Sequence, residues 1–197
     1  FCLSRGLGDV YKRQFVPHDV NGMIQLFGGK EEFVAALDDI FNTDAEIHGN
    51  LVDITGLIGQ YVHGNEPSHH IAYLYNYVGE PWKTQKMSRR LLNEMYHPTP
   101  EGIIGNEDCG QMSAWYILSS MGLYSVCPGS NEYVLTTPLF EKVVVHLANG
   151  RTLTILANDP QKNIYITKVE LNGKQIDTNF ITCLLYTSPS PRDRQKS

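Results

Sequence analysis

Residues 105–129 read GNEDCGQMSAWYILSSMGLYSVCPG, and this stretch decides the fold. From residue 109 to residue 121 the side chains are apolar nearly all round, and Gly122 follows directly. A run that is apolar on every side predicts a helix in the protein interior, and a glycine after it predicts the helix end. We therefore expect an inner, buried helix over 109–121.

Polar and acidic side chains stand at the start of this helix, at Asn106, Glu107 and Asp108. Asp108 followed by Gln111 has the spacing of a capping box, in which side chains satisfy the first amides of a helix. Two carboxylates at the start of a buried helix also predict that at least one points into a cavity. A carboxylate there is stabilised as an anion, which suits a general base because a base must begin deprotonated. Asp108 is the candidate base.

A second polar cluster, HGNEPSHH at 63–70, repeats at 64–66 the Gly-Asn-Glu triplet of 105–107. The interval between the two triplets fits two helices with their loops, and such a period predicts stacked helical hairpins. Hairpins of this kind begin their inner helices at one rim. The two triplets are therefore predicted to face one cavity.

The side chains of the second cluster permit several interpretations. Glu66, His69 and His70 fall within one helical turn and can converge on a sugar. Asn65 and Glu66 offer oxygen ligands, which suit calcium. A zinc site built from His63, His69 and His70 is an alternative. A capped helix with ordinary surface histidines is another.

A third polar pair, His18 and Asp19, lies in FVPHDVNG at 15–22, at the predicted start of a helix. Asp19 is of the residue type that caps helices, and His18 is placed to reach a ligand. We treat both as candidate substrate-binding residues, with a plain cap and turn as the alternative.

The rest of the chain divides into helices followed by strands. Apolar spacing with proline and glycine boundaries predicts a short apolar turn at 21–30 and helices at 30–41, 67–78 and 81–96. Beyond Pro128 the pattern predicts short β-branched strands at 143–147, 152–156 and 164–171. The Asn-Gly dipeptides at 149–150 and 172–173 predict hairpin turns. We expect a helical domain at 15–128 and an antiparallel β segment at 129–182.

Composition excludes several classes of protein. The 197 residues are 42% hydrophobic and 19% charged, which is ordinary for a globular chain. No apolar run is long enough to span a membrane, and a net charge of −5 argues against a nucleic-acid-binding protein. We interpret residues 1–14 and 183–197 as non-native sequence, which leaves Cys109 and Cys127 in the body. Two such cysteines make neither a disulfide framework nor a C-x-x-C site.

Three stretches, FVPHDVNG at 15–22, HGNEPSHHIAYLYNYVGEPWKTQ at 63–85 and the stretch at 105–129, closely resemble glycoside hydrolase family 92. The resemblance covers residues 15–182. It implies a calcium-dependent, inverting exo-α-mannosidase, commonly acting on α-1,2-linked mannose of N-glycans and secreted or periplasmic in a bacterium. It also implies a partial (α/α)6 toroid, followed by strands that return to an N-terminal β-sandwich missing from this chain.

The resemblance also implies roles for single residues. Asp108 matches the general base, and Asn106 stands where the family often has Asp. Asn65 and Glu66 match the region that supplies calcium and sugar contacts. The family's general acid is placed just upstream of residue 15, so it is expected to be absent from this chain. The alternatives are a zinc hydrolase that uses the histidine cluster, a carbohydrate-binding module formed by the strands after residue 129, and a purely structural helical-repeat scaffold.

Overall fold

The computed structural model describes residues 15–44 and 55–182. The segments that we interpret as non-native, 1–14 and 183–197, lie outside the described residues. Within the described residues the helices are α1 (Val20–Leu26), α2 (Lys30–Asn42), α3 (Pro81–Glu94) and α4 (Gln111–Ser120), with 3₁₀ helices at Glu66–Ser68 and Ile71–Val78. The strands are β1 (Leu57–Ile58), β2 (Tyr61–Val62), β3 (Leu123–Tyr124), β4 (Glu132–Leu135), β5 (Lys142–His146), β6 (Thr152–Leu156), β7 (Val169–Leu171), β8 (Lys174–Ile176) and β9 (Phe180–Thr182).

Local sequence accounts for most helix boundaries. Asp19 caps α1, because its Oδ1 accepts a hydrogen bond from the backbone N–H of Gly22 at 2.8 Å. Pro81 opens α3 at a position where its missing N–H costs nothing. Gly79 closes the preceding 3₁₀ helix with a φ of 85°. The predicted helices at 30–41 and 81–96 are confirmed.

The helix predicted at 67–78 forms as two 3₁₀ helices instead of one α-helix. The hydroxyl of Ser68 hydrogen-bonds the backbone carbonyl oxygens of Val62 and Asn65. A serine that bonds nearby carbonyls competes with the regular backbone ladder. The chain therefore turns more tightly here than an α-helix allows.

The helical part encloses one hydrophobic core. Its largest fully buried side chains include Trp115, Tyr61, Tyr73, Phe33 and Leu37. The ring of Trp115 lies 4.4 Å from that of His63, and it stacks on Tyr96 at 5.8 Å. Burial of aromatic side chains of this size supplies a large part of a domain's stability.

Helix α4 is buried on one face, which corrects the expectation that it is buried all round. Met112, Trp115 and Ser119 are covered, whereas Ile117 is 55% exposed. The apolar character of Ile117 predicts burial, but burial depends on a neighbour that a single helix sequence does not reveal.

The strands form small antiparallel sheets. Strands β3, β4 and β9 make a three-stranded sheet, while β5 pairs with β6 and β7 with β8. Asn172 and Gly173 have φ values of 52° and 76°, so the β7–β8 hairpin has the turn that its Asn-Gly dipeptide predicts. The strand predicted at 164–171 is shorter, since only Val169–Leu171 is extended.

The strand part is hydrogen-bonded to the helical part, and its strands pair into separate small sheets. Arg89 of α3 donates from Nη2 to the backbone oxygen of Pro138 at 2.8 Å. The backbone N–H of Ile166 donates to Oε1 of Gln85 at 3.0 Å. Nothing in this arrangement favours a separate carbohydrate-binding module beyond residue 129.

A cavity of about 670 Å³ lies among the strands, and all its lining residues fall between Met121 and Ile181. Its apolar walls include Leu153, Ile155 and Val169. None of the three polar motifs reaches it. Over the described ranges 15–44 and 55–182, no helix is both long and apolar enough to cross a membrane.

Candidate active site

The two Gly-Asn-Glu segments lie against each other. Gly105 has a φ of 77°, and a Cβ added to it would lie 2.5 Å from the backbone oxygen of Gly64 and 2.7 Å from its Cα. Only a residue without a side chain permits this approach. The backbone that carries Asn65 and Glu66 therefore starts beside the backbone that leads to Asp108, as the repeat of the triplet predicts.

Asp108 lies in a strained turn that leads into α4. Asp108 and Cys109 have φ values of 43° and 59°, and Gly110 follows at 92°. The left-handed region costs a residue with a side chain about 1–2 kcal/mol. Such strain persists only where the surrounding structure holds it, and it concentrates at functional sites. The exposed Asp108 is therefore presented on a constrained backbone.

The side chain of Glu107, and not that of Asp108, accepts a hydrogen bond from the first turn of α4. Oε1 of Glu107 accepts a hydrogen bond from the backbone N–H of Ser113 at 3.2 Å. The N-cap residue is Gly110, and the cap position makes no side-chain hydrogen bond. The predicted capping box of Asp108 and Gln111 is wrong, because the left-handed turn starts the helix two residues later than that motif requires.

His63 is buried and hydrogen-bonded through both ring nitrogens. Nδ1 lies 2.9 Å from the hydroxyl of Tyr61, and Nε2 lies 2.8 Å from the hydroxyl of Tyr96. Tyr96 donates its own proton to the backbone oxygen of Met112 at 3.2 Å, so it accepts from His63. Burial, with a smaller contribution from His69, lowers the pKa of His63 to about 2, and the ring is neutral.

His69 is also enclosed by protein. Its Nε2 donates to the backbone oxygen of His63 at 2.9 Å, and its Nδ1 lies 3.4 Å from Nε2 of Gln111. Trp115 donates from Nε1 to the backbone oxygen of His69 at 3.1 Å. Burial lowers the pKa of His69 to about 4 against the raising effect of its bond to His63. His69 is thus engaged with protein and not open to a sugar, which corrects the prediction of a direct contact.

The zinc interpretation fails on the same geometry. Zinc needs ligand nitrogens that are directed at a common point, whereas the ring nitrogens of His63 and His69 are directed at protein atoms. Across residues 15–44 and 55–182, no three His, Cys, Asp or Glu side chains are grouped as metal ligands.

The segment that carries His18 and Asp19 approaches the same region from another side. The ring of Phe15 meets the ring of His70 edge-on at 5.4 Å. Asp19 is occupied as the cap of α1, while His18 is exposed. His70 is buried. The structure therefore brings all three sequence motifs into one neighbourhood and gives Asp19 a structural task.

Sequence reasoning missed Tyr61, Tyr96 and the hydrogen-bonding role of Gln111. Tyr96 lies two residues beyond the end of α3 and reaches back to His63 from 33 positions along the chain. No local pattern predicts such a contact. The available signal in the sequence was the repetition of the Gly-Asn-Glu triplet, because it implies that the helices after the two triplets lie side by side.

The described residues offer donors of the type that calcium takes, but only part of a site. The amide of Asn65 and the carboxylate of Glu66 carry oxygen ligands, and Oε1 of Glu66 is buried. Calcium takes six to eight oxygens. Since no three His, Cys, Asp or Glu side chains group together in the described part of the chain, these two residues do not by themselves make a calcium site.

Comparison with solved structures finds a similar fold in larger proteins. The family GH92 α-mannosidase BT3965 from Bacteroides thetaiotaomicron, solved in complex with mannoimidazole, is 42% identical with a TM-score of 0.83, over 89% of this chain and 23% of that one. The family GH92 inverting mannosidase BT2199 from the same bacterium is 38% identical with a TM-score of 0.75, over 89% of this chain and 25% of that one.

Sequence comparison agrees with the structural one. A curated protein of the fungus Arthroderma benhamiae, described as an uncharacterized secreted glycosidase, is 34% identical over 85% of this chain and 20% of its own length. The chain thus spans about a quarter or less of the relatives that it matches. The profile of the glycosyl hydrolase family 92 catalytic domain matches residues 9–188. The chain belongs to glycosyl hydrolase family 92.

Proposed function

We propose that this chain is part of an exo-acting α-mannosidase that removes terminal mannose, α-1,2-linked for preference, from N-glycans with inversion of configuration. The single observation that carries the proposal is the contact of the two Gly-Asn-Glu segments beside a strained turn that presents Asp108. The described residues form a helical part followed by antiparallel strands, which we take as part of an (α/α)6 toroid with returning strands. Secretion is part of the proposal, as is a β-sandwich elsewhere in the polypeptide.

Asp108 is the general base in this proposal. An inverting glycosidase needs one carboxylate that activates water and one carboxylic acid that protonates the leaving oxygen, about 6.5–9.5 Å apart. Asp108 is exposed at the site, whereas Glu107 is tied to the start of α4. Between these neighbouring carboxylates, the geometry therefore favours Asp108 as the group that takes a proton from water.

The general acid belongs to another part of a longer polypeptide in this proposal. We call that longer polypeptide the full-length enzyme. The 197-residue chain alone is then expected to bind sugar weakly and to release no mannose, because protonation of the leaving oxygen would be missing.

Asn65 and Glu66 contribute two of the oxygen ligands of a calcium ion in this proposal, with the remaining ligands outside the described residues. A bound calcium ion would supply a positive charge for two hydroxyls of the terminal mannose. His18, which is exposed, is the proposed sugar contact of this chain. His70 is buried against the ring of Phe15, so no direct sugar contact is proposed for it. Asn106 is exposed just before the turn, and we include it in the same proposed site.

A matched pair of isosteric substitutions tests the base. In the full-length enzyme, Asp108→Asn is expected to lower kcat for an α-mannoside by about 10²–10⁴-fold, the usual contribution of general acid–base catalysis. Glu107→Gln keeps an oxygen for the N–H of Ser113 and is expected to lower kcat far less. Near-normal turnover by Asp108→Asn, or an equal loss in both variants, would show that Asp108 is not the base.

A further inference from the structure

One buried histidine joins the two triplet segments. His69 comes three residues after Glu66, and its Nδ1 lies 3.4 Å from Nε2 of Gln111, the first residue of α4. Its other nitrogen, Nε2, contacts the backbone oxygen of His63 at 2.9 Å, just before the first triplet. The ring therefore spans from the backbone of one triplet segment to the helix that follows the other.

The partners fix the direction of each hydrogen bond. A backbone carbonyl only accepts, so Nε2 of His69 carries the ring proton and donates it to His63. Nδ1 is then an acceptor, and the side-chain amide nitrogen of Gln111 is a donor. Trp115, one turn along α4, donates to the backbone oxygen of the same histidine at 3.1 Å. Helix α4 is thus fastened to His69 at two points.

The point of attachment adjoins the strained turn. Gln111 follows Gly110 directly, and its own backbone N–H donates to the backbone oxygen of Asp108 at 3.3 Å. The left-handed conformations of Asp108 and Cys109 need support from their surroundings. The bond from Gln111 to His69 is a support that acts on the first residue after the turn.

We propose that His69 is a positioning residue, which holds the Asp108 turn in register with the Asn65–Glu66 segment by accepting a hydrogen bond from Gln111. This inference rests on the proposed function, because the register matters only if Asp108 acts on a sugar held beside Asn65 and Glu66. His69 touches no substrate in this arrangement. It acts through Gln111 on the backbone that carries the base.

The kinetic consequence is a loss in kcat at nearly constant KM. A small displacement of a catalytic group, on the order of 1 Å, can slow a reaction by up to about 10²-fold. An interaction that matters in the transition state lowers kcat, whereas one used equally in both states changes KM. At 3.4 Å the His69–Gln111 bond is long, so we expect a kcat about tenfold lower when it is removed.

Gln111→Met is the main test, because Gln111 is exposed and the substitution keeps its length while removing the donor. The matched control is Gln161→Met, since Gln161 is also exposed and also donates from Nε2 to one carbonyl, that of Leu139 at 2.8 Å. In the full-length enzyme Gln111→Met should lower kcat about tenfold with KM within about twofold. Gln161→Met should leave both unchanged.

A pair of substitutions at the histidine provides a rescue. His69→Asn places an acceptor oxygen near the position of Nδ1, whereas His69→Gln keeps a donor toward His63 and loses that acceptor. His69→Asn should therefore retain more kcat than His69→Gln. In the double variant His69→Gln with Gln111→Met, the loss should not exceed that of His69→Gln alone, because both changes remove one bond.

Amide hydrogen exchange gives a readout that needs no activity. In the same full-length protein, His69→Gln should speed exchange of the peptide over 105–113 by about threefold to tenfold, as expected for the loss of one hydrogen bond. The peptide over 142–156 should be unchanged. Equal exchange at 105–113, or faster exchange without any fall in kcat, would overturn the positioning role. An unmutated enzyme that releases no mannose would instead refute the proposed function, while the exchange result would still decide whether the bridge exists.

Discussion

The helical part and the strand part of this chain are built in opposite ways. In the helical part, Leu37, Trp115 and His63 are buried almost completely, and the buried polar groups of His63 are hydrogen-bonded. In the β5–β6 hairpin, exposed and half-buried residues alternate, and Leu156 is 73% exposed. The comparison indicates that the helical part contributes most of the buried core and carries the candidate site, while the strand part is hydrogen-bonded to it.

Alkaline pH should unfold the helical part before the strand part, and this is the largest of the effects that we predict. Burial raises the pKa values of Tyr61, Tyr73, Tyr75, Tyr96 and Tyr124 well above 10. Each neutral tyrosine hydroxyl stabilises the fold in full below about pH 10, the pKa of tyrosine in the unfolded chain. As the pH rises from there toward the pKa in the folded protein, the free energy of unfolding falls by about 1.4 kcal/mol per pH unit for each tyrosine. Unfolding free energies and tyrosine absorbance followed from about pH 8 to about pH 11 measure this loss.

A pair of tyrosine variants gives the control for the alkaline transition. Tyr124→Phe removes one buried ionisable group and should raise the pH at which the fold is lost. Tyr165→Phe changes an exposed residue of the strand part and should leave that pH unchanged. Ionisation of most tyrosines near pH 10 with the fold retained would contradict the closed core.

Truncation of one leucine in each part should separate the two parts by stability. Leu37→Ala removes a fully buried side chain and should cost about 3 kcal/mol of unfolding free energy. Leu153→Ala, in the half-buried face of β6, should cost about 1 kcal/mol. Urea unfolding curves give both values. Equal costs would mean that the strands are packed as tightly as the helices.

A glycine pair with one backbone conformation sharpens the same contrast. Gly105 and Gly150 both have a φ of 77°, but a Cβ at Gly105 meets the backbone of Gly64 while a Cβ at Gly150 meets nothing within 4 Å. Gly150→Ala should cost about 1 kcal/mol from backbone conformation alone. Gly105→Ala should cost about 2–3 kcal/mol, since it also forces the two triplets apart. Thermal unfolding compares the stability of the two variants. Similar losses of stability would show that the contact between Gly105 and Gly64 adds no constraint.

The features that were predictable from sequence are local ones. The Asn172-Gly173 turn, the Gly79 cap and the proline start of α3 follow from backbone preferences of single residues. The neighbourhood of the two triplets followed from their repetition. Each of these depends on a few residues close together in the chain.

The features that sequence did not reveal depend on distant partners. The side chain of Glu107 bonds the start of α4 because Asp108 and Cys109 adopt left-handed backbone conformations. The residue types of Asp108 and Cys109 do not predict those conformations. His69 is buried, and its ring contacts Gln111, which is 42 positions away in the chain. The exposed face at Ile117 likewise depends on what surrounds α4.

The central claim is that Asp108 activates water for attack on a terminal α-mannoside beside the Asn65–Glu66 segment. The anomer of mannose first released by the full-length enzyme, followed by proton NMR before mutarotation, tests that claim most directly. Attack by water on the face opposite the leaving group must give β-mannose first, and this is the result that the account predicts. Initial release of α-mannose would contradict it, because a carboxylate would then act as nucleophile and not as base.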